Sequence, residues 1–209
     1  MNLTAVLLAA GSGRRFGTDK RRLQLPNGDN LLQHAARLLR SEFDRVLVVV
    51  RPDDEDLIDM VRSLNCRSCV NAQPDLGMGL SLAAAVGASR DADGWLVLPC
   101  DLPLVRPSTL RQVAAGLVSA PAVVPICHGR RGHPVAFDRS FRERLLSLDG
   151  EVGGRQVLQQ ASGVVRWLNL HDPGIYRDLD APEQIDRMRR DLQAQTLGAS
   201  AGILAGSSD

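Results

Sequence analysis

The sequence has almost no net charge, no apolar run of membrane length, only four cysteines and a single lysine. Each scarcity excludes something. A formal charge of +1 creates no global field that would draw the chain onto nucleic acid or an anionic bilayer, so neither is expected as a partner. No apolar stretch approaches the roughly 20 residues that span a bilayer. The N-terminus runs from Met1-Asn2-Leu3-Thr4 straight into an apolar segment, without the charged region and small-residue cleavage site of a signal peptide. Cys66, Cys69, Cys100 and Cys127 are too few for a secreted disulfide framework. A reducing, cytoplasmic setting is expected.

What the sequence does contain is an ordinary globular composition, 44% hydrophobic and 23% charged, in a length that suits one core. Short runs rich in β-branched residues alternate with longer amphipathic segments in the first half, the pattern of βαβ units and a mostly parallel sheet. Strands are expected at Thr4 to Ala9, Arg45 to Val50, Trp95 to Pro99, Ala122 to Ile126 and Val164 to Asn169. Helices are expected at Asn30 to Arg40, Asp53 to Leu64, Leu80 to Ser89, Ser108 to Ser119 and Pro182 to Leu197, with Asp53 and Ser108 as N-terminal caps. Glycines and Pro134 break residues 129 to 154 into loops and short elements, which in an α/β fold build the acceptor side of a cleft. A single domain over 1–197 and a flexible, small-residue tail over 198–209 complete the expected organisation.

The first strand leads into Ala9-Ala10-Gly11-Ser12-Gly13-Arg14-Arg15-Phe16-Gly17-Thr18-Asp19-Lys20. Apolar strand, small residues, then cations: such a run brings backbone N–H groups close to phosphate oxygens and adds positive charge around them. It is not a Walker A loop, because Thr18 and Asp19 separate Gly17 from Lys20 and Arg21 follows. Nor is it a dinucleotide fingerprint, since Gly11, Gly13 and Gly17 place the last glycine one position late. Lys20 is the one lysine among 25 basic residues, a compact point charge suited to a phosphate where a guanidinium fork would bind differently. Arg14, Arg21 and Arg22 are expected to be solvated loop residues. Cys66 and Cys69, in C-x-x-C spacing without a second pair, are expected to be buried thiols, and Cys127 to point into the core.

The stretch Leu8 to Lys20 resembles the L-A-A-G-x-S-x-R-M-G-x-x-K signature of the molybdenum cofactor cytidylyltransferases and related nucleotidyltransferases. Four further segments agree in order: Asn71 followed by Gly77-Met78-Gly79-Leu80-Ser81-Leu82; Val97-Leu98-Pro99-Cys100-Asp101-Leu102-Pro103; Gly129-Arg130-Arg131-Gly132-His133-Pro134; and Asp178-Leu179-Asp180-Ala181-Pro182-Glu183. Phe16, Gly13 and Glu151 depart from the usual Met, Ser and Asp. The resemblance implies a Rossmann-like three-layer sandwich of nucleotidyltransferase type. It further implies a Mg2+-dependent transfer of an NMP unit from an NTP to a phosphate-bearing acceptor.

In that reading the amides of residues 11–13 (Gly11, Ser12, Gly13), Arg15 and Lys20 hold the triphosphate. Asp101, at a strand end where open α/β sheets bind ligands, holds Mg2+. Leu8, Ala9, Gly79 and Ser81 meet the base and ribose, and Ala10 tilts the choice toward CTP. His133 binds the acceptor, expected to be molybdopterin, and a molybdoenzyme or its maturation chaperone would receive the product. The alternatives are a GTP-using enzyme, a transferase to another small phosphate acceptor, or a non-catalytic cofactor carrier.

Overall fold

This computed structural model describes residues 1–11, 16–150 and 153–205. Among these residues eight strands form one sheet: β1 (Leu3–Leu8), β2 (Val46–Val50), β3 (Arg67–Val70), β4 (Gly94–Pro99), β5 (Ala122–Cys127), β6 (Arg130–Arg131), β7 (Val135–Asp138) and β8 (Val165–Asn169). Seven α-helices of the described residues flank it: α1 (Leu31–Arg40), α2 (Glu55–Ser63), α3 (Met78–Ala88), α4 (Pro107–Ala115), α5 (Arg142–Leu146), α6 (Gly154–Gln160) and α7 (Ile185–Ala205). The strand order is β3-β2-β1-β4-β7-β5-β6, with β8 paired to β5. β3, β2, β1 and β4 run parallel, as do β5 and β8, whereas β7 lies antiparallel between β4 and β5.

The central strand shows why three layers form. Successive side chains of a strand point to opposite faces, and both faces of β1 are apolar. Ala5, Leu7 and Ala9 join one core with Leu31, Ala35 and Leu39 of α1, Leu57 of α2, Leu110 of α4 and Met188 of α7. Val6, Leu8 and Ala10 join the other with Leu82 and Val86 of α3, Leu145 of α5 and Val157 of α6. A strand buried on both sides reads as a continuous hydrophobic run, as Ala5 to Ala10 does. Among the described residues no helix is long and apolar enough to cross a membrane.

All five expected strands and all five expected helices are present, with ends shifted by a few residues. The shifts have physical causes. α1 starts at a reciprocal cap, the Asn30 side chain accepting from the Gln33 amide and Gln33 Oε1 from the Asn30 amide, both at 2.8 Å. The two expected caps are corrected. α2 begins after Asp54, not Asp53, and the Asp54 carboxylate is turned away to a buried arginine. α4 begins at Pro107, its first turn held by Asp172, whose Oδ2 accepts from the Arg106 amide at 2.9 Å and from Thr109 Oγ1 at 2.6 Å. α7 continues through Ala205, past the expected end at Leu197.

Between β5 and its antiparallel neighbour, Val123 faces Ala136 and Ile126 faces Arg131. Between these pairs two residues of β5, Val124 and Pro125, stand opposite four, Gly132 to Val135, a bulge at Gly132-His133-Pro134 that bends the strand. Gly132 is required there because a Cβ would stand 2.2 Å from the Ile175 carbonyl oxygen.

Candidate functional site

In the parallel part of the sheet the chain goes from β1 outward to β2 and β3, then returns to the other side of β1 as β4. The order therefore reverses between β1 and β4, and the crevice beyond their C-terminal ends is where such sheets bind ligands. The residues that leave those ends are Ala9 to Gly11 and Cys100-Asp101, tied together by the Cys100 amide donating to the Leu8 carbonyl at 3.0 Å. A cleft of about 330 Å³ opens there, lined by Leu8, Ala9, Gly11, Lys20, Pro74, Asp75, Gly77, Met78, Ser81 and Asp101 among others.

Lys20 and Asp101, 81 positions apart in sequence, meet in this cleft with Lys20 Nζ 2.7 Å from Asp101 Oδ2. The same ammonium donates to the Leu179 carbonyl at 3.1 Å and to Asp180 Oδ1 at 3.3 Å. Burial works against its charge, yet the Asp101 and Asp180 carboxylates outweigh that, and its pKa lies above the ordinary lysine value. Asp178 moves upward as well, through burial and then the nearby Asp180 and Asp101 carboxylates. Among the described residues the Lys20 ammonium thus stands against the Asp101 and Asp180 carboxylates, with Asp178 near both. Among the described residues no group of three or more His, Cys, Asp and Glu side chains is arranged as a complete metal cage. A magnesium ion does not require one, since one or two carboxylates suffice when phosphate oxygens and water complete its shell. Asp101 and Asp180, both bonded to the Lys20 ammonium, are the carboxylates that could hold such an ion.

The sequence reading of the basic cluster needs correction at Arg21, which is 3% exposed. Its guanidinium donates to both oxygens of Asp19, to both oxygens of Asp54 and to the Ala9 carbonyl. This cross-link fixes the end of β1, the turn at Asp19 and the start of α2 in one unit. Arg22 is exposed and pairs with Asp56, closer to the solvated role expected of it. Arg51, which sequence reasoning missed, donates through Nε to the Ala10 carbonyl at 3.1 Å and through Nη2 to that of Gly11. Its place directly after a β-strand was the available signal.

Of the proposed nucleotide contacts, Leu8, Ala9, Gly11, Lys20 and Ser81 line the cleft, whereas Ala10 and Gly79 are buried and are not among its lining residues. Ser12, Gly13 and Arg15, together with Arg14, lie outside the described residues. Ser81 is held by Asn71 Nδ2 at 2.9 Å, and Asn71 Oδ1 accepts from the Gln73 amide at 2.9 Å. The wall made by α3 is therefore braced against the end of β3, and the Ser81 hydroxyl keeps its proton to donate.

A second cleft of about 790 Å³ adjoins the first, sharing Leu8 and Met78. Val97, Val124, Val135 and Phe137 line its apolar part, while Arg130, Arg131, Arg155 and Trp167 bring charge and an aromatic face. Two of these arginines are stacked, Arg130 over Tyr176 and Arg131 over Trp167, each at 4.2 Å from the ring centre. His133 lines this cleft and not the first. Burial lowers its pKa, so the ring is neutral near pH 7, and its backbone amide donates to the Ile175 carbonyl at 2.8 Å. Cys66 is buried and Cys69 partly so, both unbridged, with burial raising their thiol pKa values, that of Cys69 to about 11. Cys127 is buried in the core as expected.

Residues 5–164 match the model of the MobA-like NTP transferase domain. The chain is 29% identical over 200 residues to the nicotine blue oxidoreductase of Paenarthrobacter nicotinovorans, covering 89% of this chain and 96% of that protein. It is 31% identical over 193 residues to a "Probable molybdenum cofactor guanylyltransferase" of Nostoc sp., covering 88% and 89%. Among solved structures, the Mycobacterium tuberculosis rv0371c homolog from mycobacterium sp. strain JC1 is similar with a TM-score of 0.78 over 93% of this chain and 98% of that one, at 25% identity.

Proposed function

We propose, from the premise that the chain belongs to the MobA-like NTP transferase family, that it transfers CMP from CTP to the phosphate of molybdenum-molybdopterin. The products are the cytosine dinucleotide form of the cofactor and pyrophosphate. The observation that carries this reading is the meeting of Lys20 and Asp101 at 2.7 Å in a cleft that opens into a second, larger one. One cleft takes the nucleotide and the other the acceptor, and the two share a wall at Leu8 and Met78.

An oxygen of the acceptor phosphate attacks the α-phosphorus in line, so that a new P–O bond forms as the α–β bridge breaks and its electron pair leaves with pyrophosphate. A phosphate dianion is nucleophilic enough to need no covalent enzyme intermediate. What the protein supplies is orientation and charge. Lys20, the amides at residues 11–13 and Arg15 neutralise the triphosphate; Leu8, Ala9 and Ser81 seat the nucleoside; His133 and the stacked arginines hold the acceptor. A magnesium ion held by Asp101 would offset charge on the phosphate oxygens when bound.

The choice of CTP rests on the Ala9-Ala10-Gly11 resemblance, whereas the 31% identical relative is named for guanylyl transfer, which makes GTP the second reading. Incubation with each NTP, Mg2+ and the molybdenum-loaded pterin, followed by product mass and pyrophosphate release, separates them. Equal rates for the wild type and Asp101→Asn would remove the enzymatic reading. Reaction with sugar phosphates alone would remove the acceptor assignment.

A further inference from the structure

We infer that Lys20 is a placeholder cation: in the nucleotide-free protein it occupies the carboxylate that the metal needs, and it must leave before the metal can bind well. The inference rests on the reading of Asp101 as the metal carboxylate. An ammonium has three N–H donors, and here three acceptors surround it, Asp101 Oδ2 at 2.7 Å, the Leu179 carbonyl at 3.1 Å and Asp180 Oδ1 at 3.3 Å. Its donor capacity is filled. No phosphate oxygen can take a direct hydrogen bond from this ammonium unless one of those three partners is given up.

The surroundings permit that exchange without moving the backbone. The turn that carries Lys20 is clamped on its C-terminal side by Arg21, bonded to Asp19 and Asp54, so its main chain stays in place while the four-carbon stem can swing. The segment bearing Asp180 keeps a second tie, the Leu179 amide donating to the Asp101 carbonyl at 2.9 Å. When triphosphate draws the ammonium away, Asp101 and Asp180 lose the cation they share, and a divalent cation is attracted in its place. Nucleotide and metal thus bind with positive coupling beyond the chelation that the triphosphate itself supplies.

The test uses nucleotide-free protein and Mn2+ alone, with free Mn2+ followed by its electron paramagnetic resonance signal. Lys20→Met keeps the length of the side chain and removes the charge. The variant should bind Mn2+ roughly ten- to hundredfold more tightly than the wild type, the scale of removing one unit charge a few Å from the ion. It should bind metal-free CTP more weakly. Equal Mn2+ affinity in the two proteins would overturn the placeholder role. Asp101→Asn separates this failure from that of the underlying reading: if it leaves Mn2+ binding intact in both backgrounds, the carboxylate assignment itself is wrong. Should Lys20→Met not fold, the wild type gives the answer alone. As the only lysine in the chain, Lys20 yields a single side-chain signal after selective 15N and 13C lysine labelling. Saturating Mg2+ without nucleotide should move that signal toward an exposed-lysine position, and an unmoved signal at saturation would show that ammonium and metal coexist.

Discussion

Arg21→Met takes away the cation that Asp54 faces inside the protein. All five N–H donors of the guanidinium are used in the wild type, on Asp19, Asp54 and the Ala9 carbonyl. The two carboxylates are not equally exposed to the loss. The Asp19 side chain is 24% exposed and keeps Arg22 at 3.5 Å, whereas that of Asp54 is 4% exposed and keeps only the Arg51 amide among the described residues. Removing one partner of a buried pair costs about 3–5 kcal/mol, because the remaining charge is stranded in a poorly solvated place. Against a total stability of about 5–15 kcal/mol that is a large fraction, easily read from urea unfolding at neutral pH with an unchanged slope. Adding Asp54→Asn removes the stranded charge while keeping an oxygen for the Arg51 amide, so the double variant should recover most of the loss. The acid side gives a second reading. Burial tends to raise the Asp19 pKa, but Arg21 outweighs it and holds it below the ordinary 3.8; a depressed carboxyl adds stability above about pH 4 that is lost as pH falls through its folded value. This acid-linked loss should shrink in Arg21→Met. A cost below about 1 kcal/mol for the single variant, or a double variant no better than the single, would refute the reasoning.

Three further outcomes are expected. Asp101→Asn should lower pyrophosphate release by roughly 10²–10³-fold, the usual scale for losing one preorganised electrostatic group, in protein that remains folded by circular dichroism. Gly174→Ala puts a Cβ 2.1 Å from the Leu104 carbonyl oxygen, a backbone atom that cannot turn aside, at a cost of about 1–3 kcal/mol or more and a melting temperature lowered by roughly 3–10 °C; Gly163→Ala, with nothing within 4 Å of the new Cβ, is the neutral control. Burial pushes the Cys69 thiol up to about 11 and that of Cys100 to about 12, so above the ordinary thiol value of 9.0 the unfolded chain releases protons that the folded one retains. Stability should therefore fall as pH rises from about 9 toward 12, and Cys100→Ala should flatten that slope in urea titrations.

The sheet was legible because its strands are buried on both faces, which leaves apolar runs such as Ala5 to Ala10 that need no knowledge of partners. β3, with its sequence Arg-Ser-Cys-Val and mostly exposed side chains, has no such run and was missed. β6 and β7 were missed for a different reason. They are one strand broken by a bulge whose cause, the close approach of Ile175 to Gly132, comes from 43 positions away. The site was legible where one residue type stood out, as with the only lysine, or where a strand end announced it, as with Asp101. Arg21 was misread because a buried arginine and a solvated one have the same letter. What distinguishes them is Asp54, placed by β2 and the turn after it, and local sequence carries no trace of that pairing. Asp180 was quoted but given no role, since its nearness to Lys20 depends on the chain returning to the sheet after β8.

At two adjacent positions the chain thus uses lysine for exchange and arginine for fixing, and the geometry says why the two cannot trade. The acceptors around Lys20 converge on a single nitrogen at 2.7 to 3.3 Å. A guanidinium spreads its donors over three nitrogens in a rigid plane, which suits two carboxylates side by side, as at Arg21, but not three oxygens aimed at one point. Lys20→Arg therefore keeps the charge and loses the convergence, and the longer side chain displaces that charge from the phosphate by about an ångström, enough to cost on the order of 10²-fold in a reaction that depends on position. Pyrophosphate release at saturating CTP measures this directly. If Lys20→Arg retained half or more of the wild-type rate, charge alone would be what the site requires, and the need for a compact ammonium at the phosphate would have to be abandoned.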